Sequence, residues 1–238
     1  MNAKIILALF LLSSAITLAQ VKTKKSTDHE KEALTILKQA QTYADGGTMI
    51  TALHQIIAEE GVNSTYKDSL AVTYYKMNNY ISCHLVAKEL LEKKPNNVVL
   101  LELEAMSLKQ LNAKKEAIDA FEKLFALSKN KFHGYQLAVL QQSIKRLAEA
   151  QATINQVLAC EDIKGFDLEF PKDQNQSQKI ALNAAIQNLK GLIAYELKDI
   201  TTAKTAFQEA LNISPDFALA KQNVAALELE ISKPVQKK

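Results

Sequence analysis

The chain has 238 residues, 47% of them apolar, with six glycines, four prolines and no tryptophan. That length suits one extended domain or two small ones, and the composition suits a large, mostly helical core. The formal charge of +3 sits in the ends: without Lys4, Lys22, Lys24, Lys25, Lys233, Lys237 and Lys238, 22 basic residues stand against 26 acidic ones, which excludes the basic footprint of a nucleic-acid binder from the body.

The first element is an address. Lys4 supplies a positive start, Ile5 to Leu12 an apolar run, and Ser13 to Ala19 a small-residue end before Gln20. This pattern is that of a secretory signal peptide over residues 1–19, cleaved after Ala19. Ile5 to Ala19 is 15 residues, short of the roughly 20 that a spanning helix needs. No cysteine lies near the cleavage site, so no lipid attachment is expected. The expectation is an exported protein, periplasmic or secreted, without stable membrane insertion of the mature chain, and with a flexible segment at 20–28.

Beyond residue 28 the chain repeats itself. Gly191, Ala203, Phe207, Ala210 and Pro215 define a pattern of small and bulky residues that recurs upstream. Ala71, Tyr74, Cys83, Ala87, Leu90, Leu91 and Pro95 take the same relative places, then Ala105, Leu108, Ala117, Phe121, Leu124 and Phe125. Ala138, Ala150, Ile154, Val157 and Leu158 follow, and Leu37, Ala40, Met49, Leu53, Ile56 and Ile57 precede them, with Gly61 at the proline's place. The units lie near 30–63, 64–97, 98–130, 131–163 and 184–217, at a period of 33 or 34 apart from one long gap. A further column, Tyr43, Met77, Leu111, Ile144 and Leu197, is apolar in all five. Turn signals at Asp45-Gly46-Gly47, Asn78-Asn79 and Lys198-Asp199 divide the units into two helices. Small residues at the crossing let the two axes approach to about 8–10 Å, and Pro215 ends the second helix.

This pattern resembles the tetratricopeptide repeat, whose unit is 34 residues of paired antiparallel helices. The resemblance covers roughly residues 30 to 217. It implies an all-α fold, a right-handed α-solenoid of five helical hairpins plus a C-terminal capping helix at 217–231, within a solenoid domain of 30–231. The basic residues 232–238 are a tail. In the first unit Leu37 and Met49 replace small residues, so its helices are expected further apart, as in a cap. Between Lys131 and Ala184 the chain carries a surplus of 19 residues. That surplus, about 161–178, holds Gly165 and Pro171 and is expected to be a loop. In it Phe166, Leu168 and Phe170 alternate, either to pack back on the helices or to meet a partner.

The resemblance also implies a concave face, lined by the first helix of each unit, that holds a peptide or partner helix. By position that groove takes Val72 and Tyr75 with Asp68, Met106 and Lys109 with Glu102, Tyr135, Val139 and Gln142, and Asn188, Leu192 and Tyr195. Some relatives clamp a C-terminal carboxylate with Lys and Asn; Lys38 is present here without the asparagines, and no clamp is expected. The strip is either open to a protein or peptide ligand or covered by the 161–178 loop. Catalysis finds little in the sequence. His29, His54, His84 and His133 fall in different units without metal-ligand spacing. "DHEKE" at 28–32 lacks the second histidine of a zinc-protease helix. Cys83 occupies a close-packed place, and Cys160 lies two units away. The expectation is a non-enzymatic protein-binding module with no cofactor and no metal; the alternatives are a subunit of an envelope or secretion complex that uses its outer faces and the 161–178 loop, and a metal-dependent hydrolase.

Overall fold

A computed structural model describes residues 27–232. The expected signal peptide, the segment up to Ser26 and the tail from Lys233 lie outside the described residues. The described chain forms two compact units, 27–127 and 128–232.

The first unit holds α1 (Asp28–Thr42), α2 (Gly46–Glu60), α3 (Tyr66–Lys76), α4 (Tyr80–Lys93), α5 (Val98–Gln110) and α6 (Lys114–Ser128, whose last residue falls in the second unit). Consecutive helices pair: α1 packs on α2, α2 on α3, α3 on α4 and α4 on α5. The small residues of the repeat stand where the sequence puts them. Ala71, Cys83, Ala105 and Ala117 have no exposed surface. Gly46 opens α2 rather than lying in the turn; a Cβ there would meet the Sδ of Met77 at 2.1 Å.

One turn design joins the two helices of every hairpin. The first helix ends, one residue takes the left-handed conformation, and the second helix begins. The left-handed residues are Ala44, Asn78, Asn112, Lys145 and Lys198, with φ between 53° and 67°. The residue after each sends its N–H back to a carbonyl five residues earlier: Asp45 to Ala40, Asn79 to Tyr74, Ala113 to Leu108, Arg146 to Gln141 and Asp199 to Ala194. These bonds satisfy carbonyls that a helix end would otherwise leave without partners. Asp45, Asn79 and Asp199 then cap the next helix, accepting from the backbone N–H of Thr48, Ser82 and Thr202. The apolar column Tyr43, Met77, Leu111, Ile144 and Leu197 marks the residue just before each left-handed one.

The second unit holds α7 (Lys131–Ser143), α8 (Leu147–Leu158), α9 (Leu182–Glu196), α10 (Ile200–Ile213) and α11 (Ala218–Ser232). In the α9–α10 hairpin a Cβ on Gly191 would lie 2.5 Å from the Phe207 ring. The glycine therefore admits the bulky residue that fills the crossing. Ala203, Phe207 and Ala194 close this core with Leu227 of α11.

The surplus between α8 and α9 is a correction to the sequence reading. It is not a loop: it carries an antiparallel hairpin, β1 (Asp167–Pro171) paired with β2 (Ser177–Ala181). Alternation puts Leu168 and Ile180, which face each other in the register, on the buried side. Phe166 packs on Phe132 of α7 with ring centroids 5.1 Å apart, and Phe170 on Phe217 at 4.9 Å. Of the two roles open to these aromatics, packing is the one the structure uses. The base of the hairpin is tied by Lys131, a lysine only 4% exposed. Its ammonium donates to Asp162 Oδ1 and, at 3.2 Å, to Asn183 Oδ1.

Candidate functional site

In the first unit, α3 carries Val72 and Tyr75, and α5 carries Met106 and Lys109. Val72 is half-buried and Tyr75 buried, its ring edge-on to Tyr80 at 5.5 Å. Burial pushes the Tyr75 phenol above its usual range. Met106 is 2% exposed and belongs to the core. Helix α5 is apolar over most of its circumference, so it is buried over most of it as well. Lys109 is half-buried, and desolvation pushes its ammonium down to about 8.

In the second unit the expected residues are largely engaged within the protein. Tyr135 is buried, which raises its phenol. The Gln142 amide donates to Glu196 Oε1 at 2.5 Å, and Lys145 donates to the other oxygen at 2.7 Å. Asn188 is buried and accepts from Asn223 of α11 at 2.8 Å. The Tyr195 hydroxyl donates to Glu230 of α11, which pushes the phenol up, and the Lys198 ammonium sits 5.6 Å from the ring centroid. Val139 and Leu192 are half-buried. The sequence left the strip either open or covered; Tyr75, Met106, Tyr135 and Asn188 are buried. For Asn188 the reason is visible in its bond: α9 and α11 pack on one another through this position, and half-buried Tyr195 is bonded to α11 as well.

What remains open in the first unit is a cleft of about 410 Å³. Gln41 and Met49 come from the first hairpin. Asp68, Ser69, Val72, Thr73 and Lys76 come from α3, and Asn97, Val99, Leu100 and Leu103 from the start of α5. Two polar groups are committed inside the protein: Thr73 Oγ1 donates to the Ser69 carbonyl at 2.8 Å, and Asn97 Oδ1 caps Leu100 N–H at 3.1 Å. Asp68 Oδ2 accepts from Lys94 at 2.7 Å, while Oδ1 is shielded from solvent and accepts no hydrogen bond from the described residues. Val99, in the same lining, leaves 56% of its surface exposed.

Val72 and Asp68 were legible in the sequence as members of this face. Val99 was not, although "VVLLELEAM" offers a signal: a helix apolar on nearly every side has one side more than its hairpin can cover. Among the described residues no three His, Cys, Asp or Glu side chains gather as metal ligands would, and no helix is long and apolar enough to cross a membrane. His84 pairs with Glu104 at 2.9 Å, His54 with the Tyr74 hydroxyl at 2.7 Å, and Cys83 and Cys160 are free thiols.

Residues 184–217, the α9–α10 hairpin and its terminal Pro215, match the family model described as tetratricopeptide repeat. The chain has the tetratricopeptide-repeat fold. Solved structures of that fold resemble it over most of its length. A tetratricopeptide repeat protein from Parabacteroides merdae superposes with a TM-score of 0.64 at 11% identity, over 87% of this chain and 75% of that one. MamA from Desulfovibrio magneticus, residues 41 to the end, gives 0.61 at 12% identity, over 81% and 98%. YrrB, described as a TPR protein with an unusual peptide-binding site, gives 0.63 at 14%, over 80% and 89%. No curated protein matches the chain in sequence. The fold is all-α apart from the β1–β2 hairpin, and proteins of this fold generally serve as protein-interaction modules.

Proposed function

We propose that this chain is an exported, non-enzymatic module that binds a protein or peptide on the face of its first helices α3 and α5. The observation that carries the reading is the open α3–α5 cleft, whose lining includes half-buried Val72 and exposed Val99. Covering the open part of Val99 contributes on the order of 1 kcal/mol to binding. The polar groups around it fix orientation. The fold supports the same reading, and YrrB, a structure of that fold, is described as having a peptide-binding site.

Export rests on the sequence of residues 1–19. Fractionation of the producing cell and N-terminal sequencing of the processed protein test it: a mature end at Gln20 is expected, and an unprocessed chain in the cytoplasm overturns it. Binding is tested by in-cell cross-linking followed by mass spectrometry. A partner is expected to cross-link next to α3 and α5, and Val72→Glu is expected to abolish that cross-link while leaving the melting temperature near the parent value.

A second reading is a structural subunit that uses outer faces. It is favoured by Ile81 and Leu85 of α4, one turn apart and 60% and 59% exposed. Leu85→Glu, rather than Val72→Glu, would then release the partner.

A further inference from the structure

We propose that a second cleft, between α1 and α2, is the seat of the chain's own residues 20–26, "QVKTKKS", with their lysines against Glu32 and Glu59 and Val21 against Ile36. It shares no lining residue with the α3–α5 cleft. The α1–α2 cleft, of about 320 Å³, is lined by these two helices alone. Ala33 and half-buried Ile36 of α1 and Ala58 of α2 supply its apolar part. Its charge is one-sided: Glu32 and Glu59 stand on the two helices, and among the described residues no lysine or arginine lines the cleft with them. The end of α2 adds to this. Its last turn carries Glu59 and Glu60 and no basic residue, at the helix terminus whose carbonyls already bear partial negative charge. The cleft is therefore suited to ammonium groups with an aliphatic side chain close by.

Residues 20–26 have that chemistry: three lysines, one valine and no acid. They also join the helix at the right place. Thr27, the N-cap of α1, donates its hydroxyl to Glu59 Oε2 at 3.0 Å, so the chain enters α1 at the rim of the cleft. From Thr27, extended backbone at about 3.3 Å per residue carries Val21 about 20 Å. Ile36 lies about 14 Å along α1, at about 1.5 Å per residue. Lys24 and Lys25 need no more than half of Val21's reach to meet Glu59 and Glu32.

Magnitude decides between this occupant and a dissolved one. Exposed ion pairs are weak and screened by salt, and Ile36 has only part of its surface left to cover. A free basic peptide is held there no better than about millimolar. A segment joined at Thr27 is supplied at an effective concentration of about millimolar, and so fills a site that a partner at micromolar concentration does not. The end of a solenoid calls for such a cover, because no further unit packs on it; among the described residues no helix precedes α1.

The test uses the whole chain as purified. A carbodiimide, which joins an amine to a carboxylate only where the two touch, is applied at low salt to an equal mixture of unlabelled and isotope-labelled chains, and the joined peptides are read by mass spectrometry. Lys22, Lys24 or Lys25 is expected to couple to Glu32 or Glu59 within one chain, so that each joined pair is wholly light or wholly heavy. Raising the salt to about 1 M should cut the yield about fivefold or more. In methyl-labelled protein, Lys22→Ser, Lys24→Ser and Lys25→Ser together should shift the Ile36 methyl signals, and Val21→Ser alone should shift them too. Thermal melts by circular dichroism verify that these variants keep their helices. Joined pairs of mixed label make the occupant a second copy and overturn the proposal. Coupling of the three lysines only to other carboxylates, or to none, overturns it, and so do Ile36 signals indifferent to both variants.

Discussion

Ala44 shows how a single residue can work against the fold it belongs to. It holds φ of 53° at the first hairpin turn, a conformation that costs an L-residue with a Cβ roughly 1–2 kcal/mol. The next two turns place asparagine there, which tolerates it better. Ala44→Asn is therefore expected to stabilise the protein by about 0.5–1 kcal/mol in urea denaturation. Gly191 is the opposite case. Any Cβ meets the Phe207 ring, so Gly191→Ala should destabilise by about 1–3 kcal/mol, and Phe207→Leu in the same chain should recover part of the loss. Glu104 is raised above the ordinary carboxylate value chiefly by burial, with His84 and the ammonium groups of Lys88 and Lys123 opposing. A raised carboxyl contributes most stability below its unfolded value of 4.5 and loses it as pH climbs through the folded one. Glu104→Gln keeps an acceptor for His84 without that loss. Its melting temperature should match the parent at and below pH 4.5 and exceed it increasingly as pH rises through the raised folded value.

At the scale of elements, the inserted hairpin depends on residues far from it in sequence. Lys131 opens α7, yet it pins Asp162 and Asn183 on either side of β1 and β2. The lysine lowers the Asp162 carboxyl from its usual value. That contribution is present above the unfolded value of 3.8 and is lost as pH falls through the lower folded one. Lys131→Met should therefore leave the helices folded and speed amide exchange in residues 166–182, which hydrogen exchange read by mass spectrometry will register. The strands were half legible. Phe166, Leu168 and Phe170 show the period of two that marks a strand, but β2, "SQKIA", has two apolar residues in five and no comparable pattern. Its place is set by pairing with β1 and by Ile180 entering the core of Ala184, Ala210 and Phe217. Local sequence carries no record of such a tertiary choice. The hairpin turns divide in the same way: Asn78-Asn79 announces its turn, whereas Lys145 takes the same backbone shape and its own identity gives no sign of it.

At the scale of the molecule, the small and bulky residues of the repeat predict the helical hairpins well because each is read by its nearest neighbour in the chain. The binding face was less legible. Position on a first helix does not distinguish a residue that faces a ligand from one that faces the next first helix: Val72 lines the open cleft, while Asn188 and Tyr195 are bonded to α11. Two substitutions separate the contributions of the two units to partner binding. Val72→Glu should abolish capture of a cross-linked partner, and Val139→Glu should do so only if the second unit also contacts it; circular dichroism should show both folded. The turn between β1 and β2 has a use of its own. Asp173 closes it by accepting from the backbone N–H groups of Asn175 and Gln176, and residues 171 to 177 are all exposed. With its stem already zipped by strand pairing, this exposed tip offers a permissive locus where a short epitope or fluorophore tag can be grafted to follow the protein.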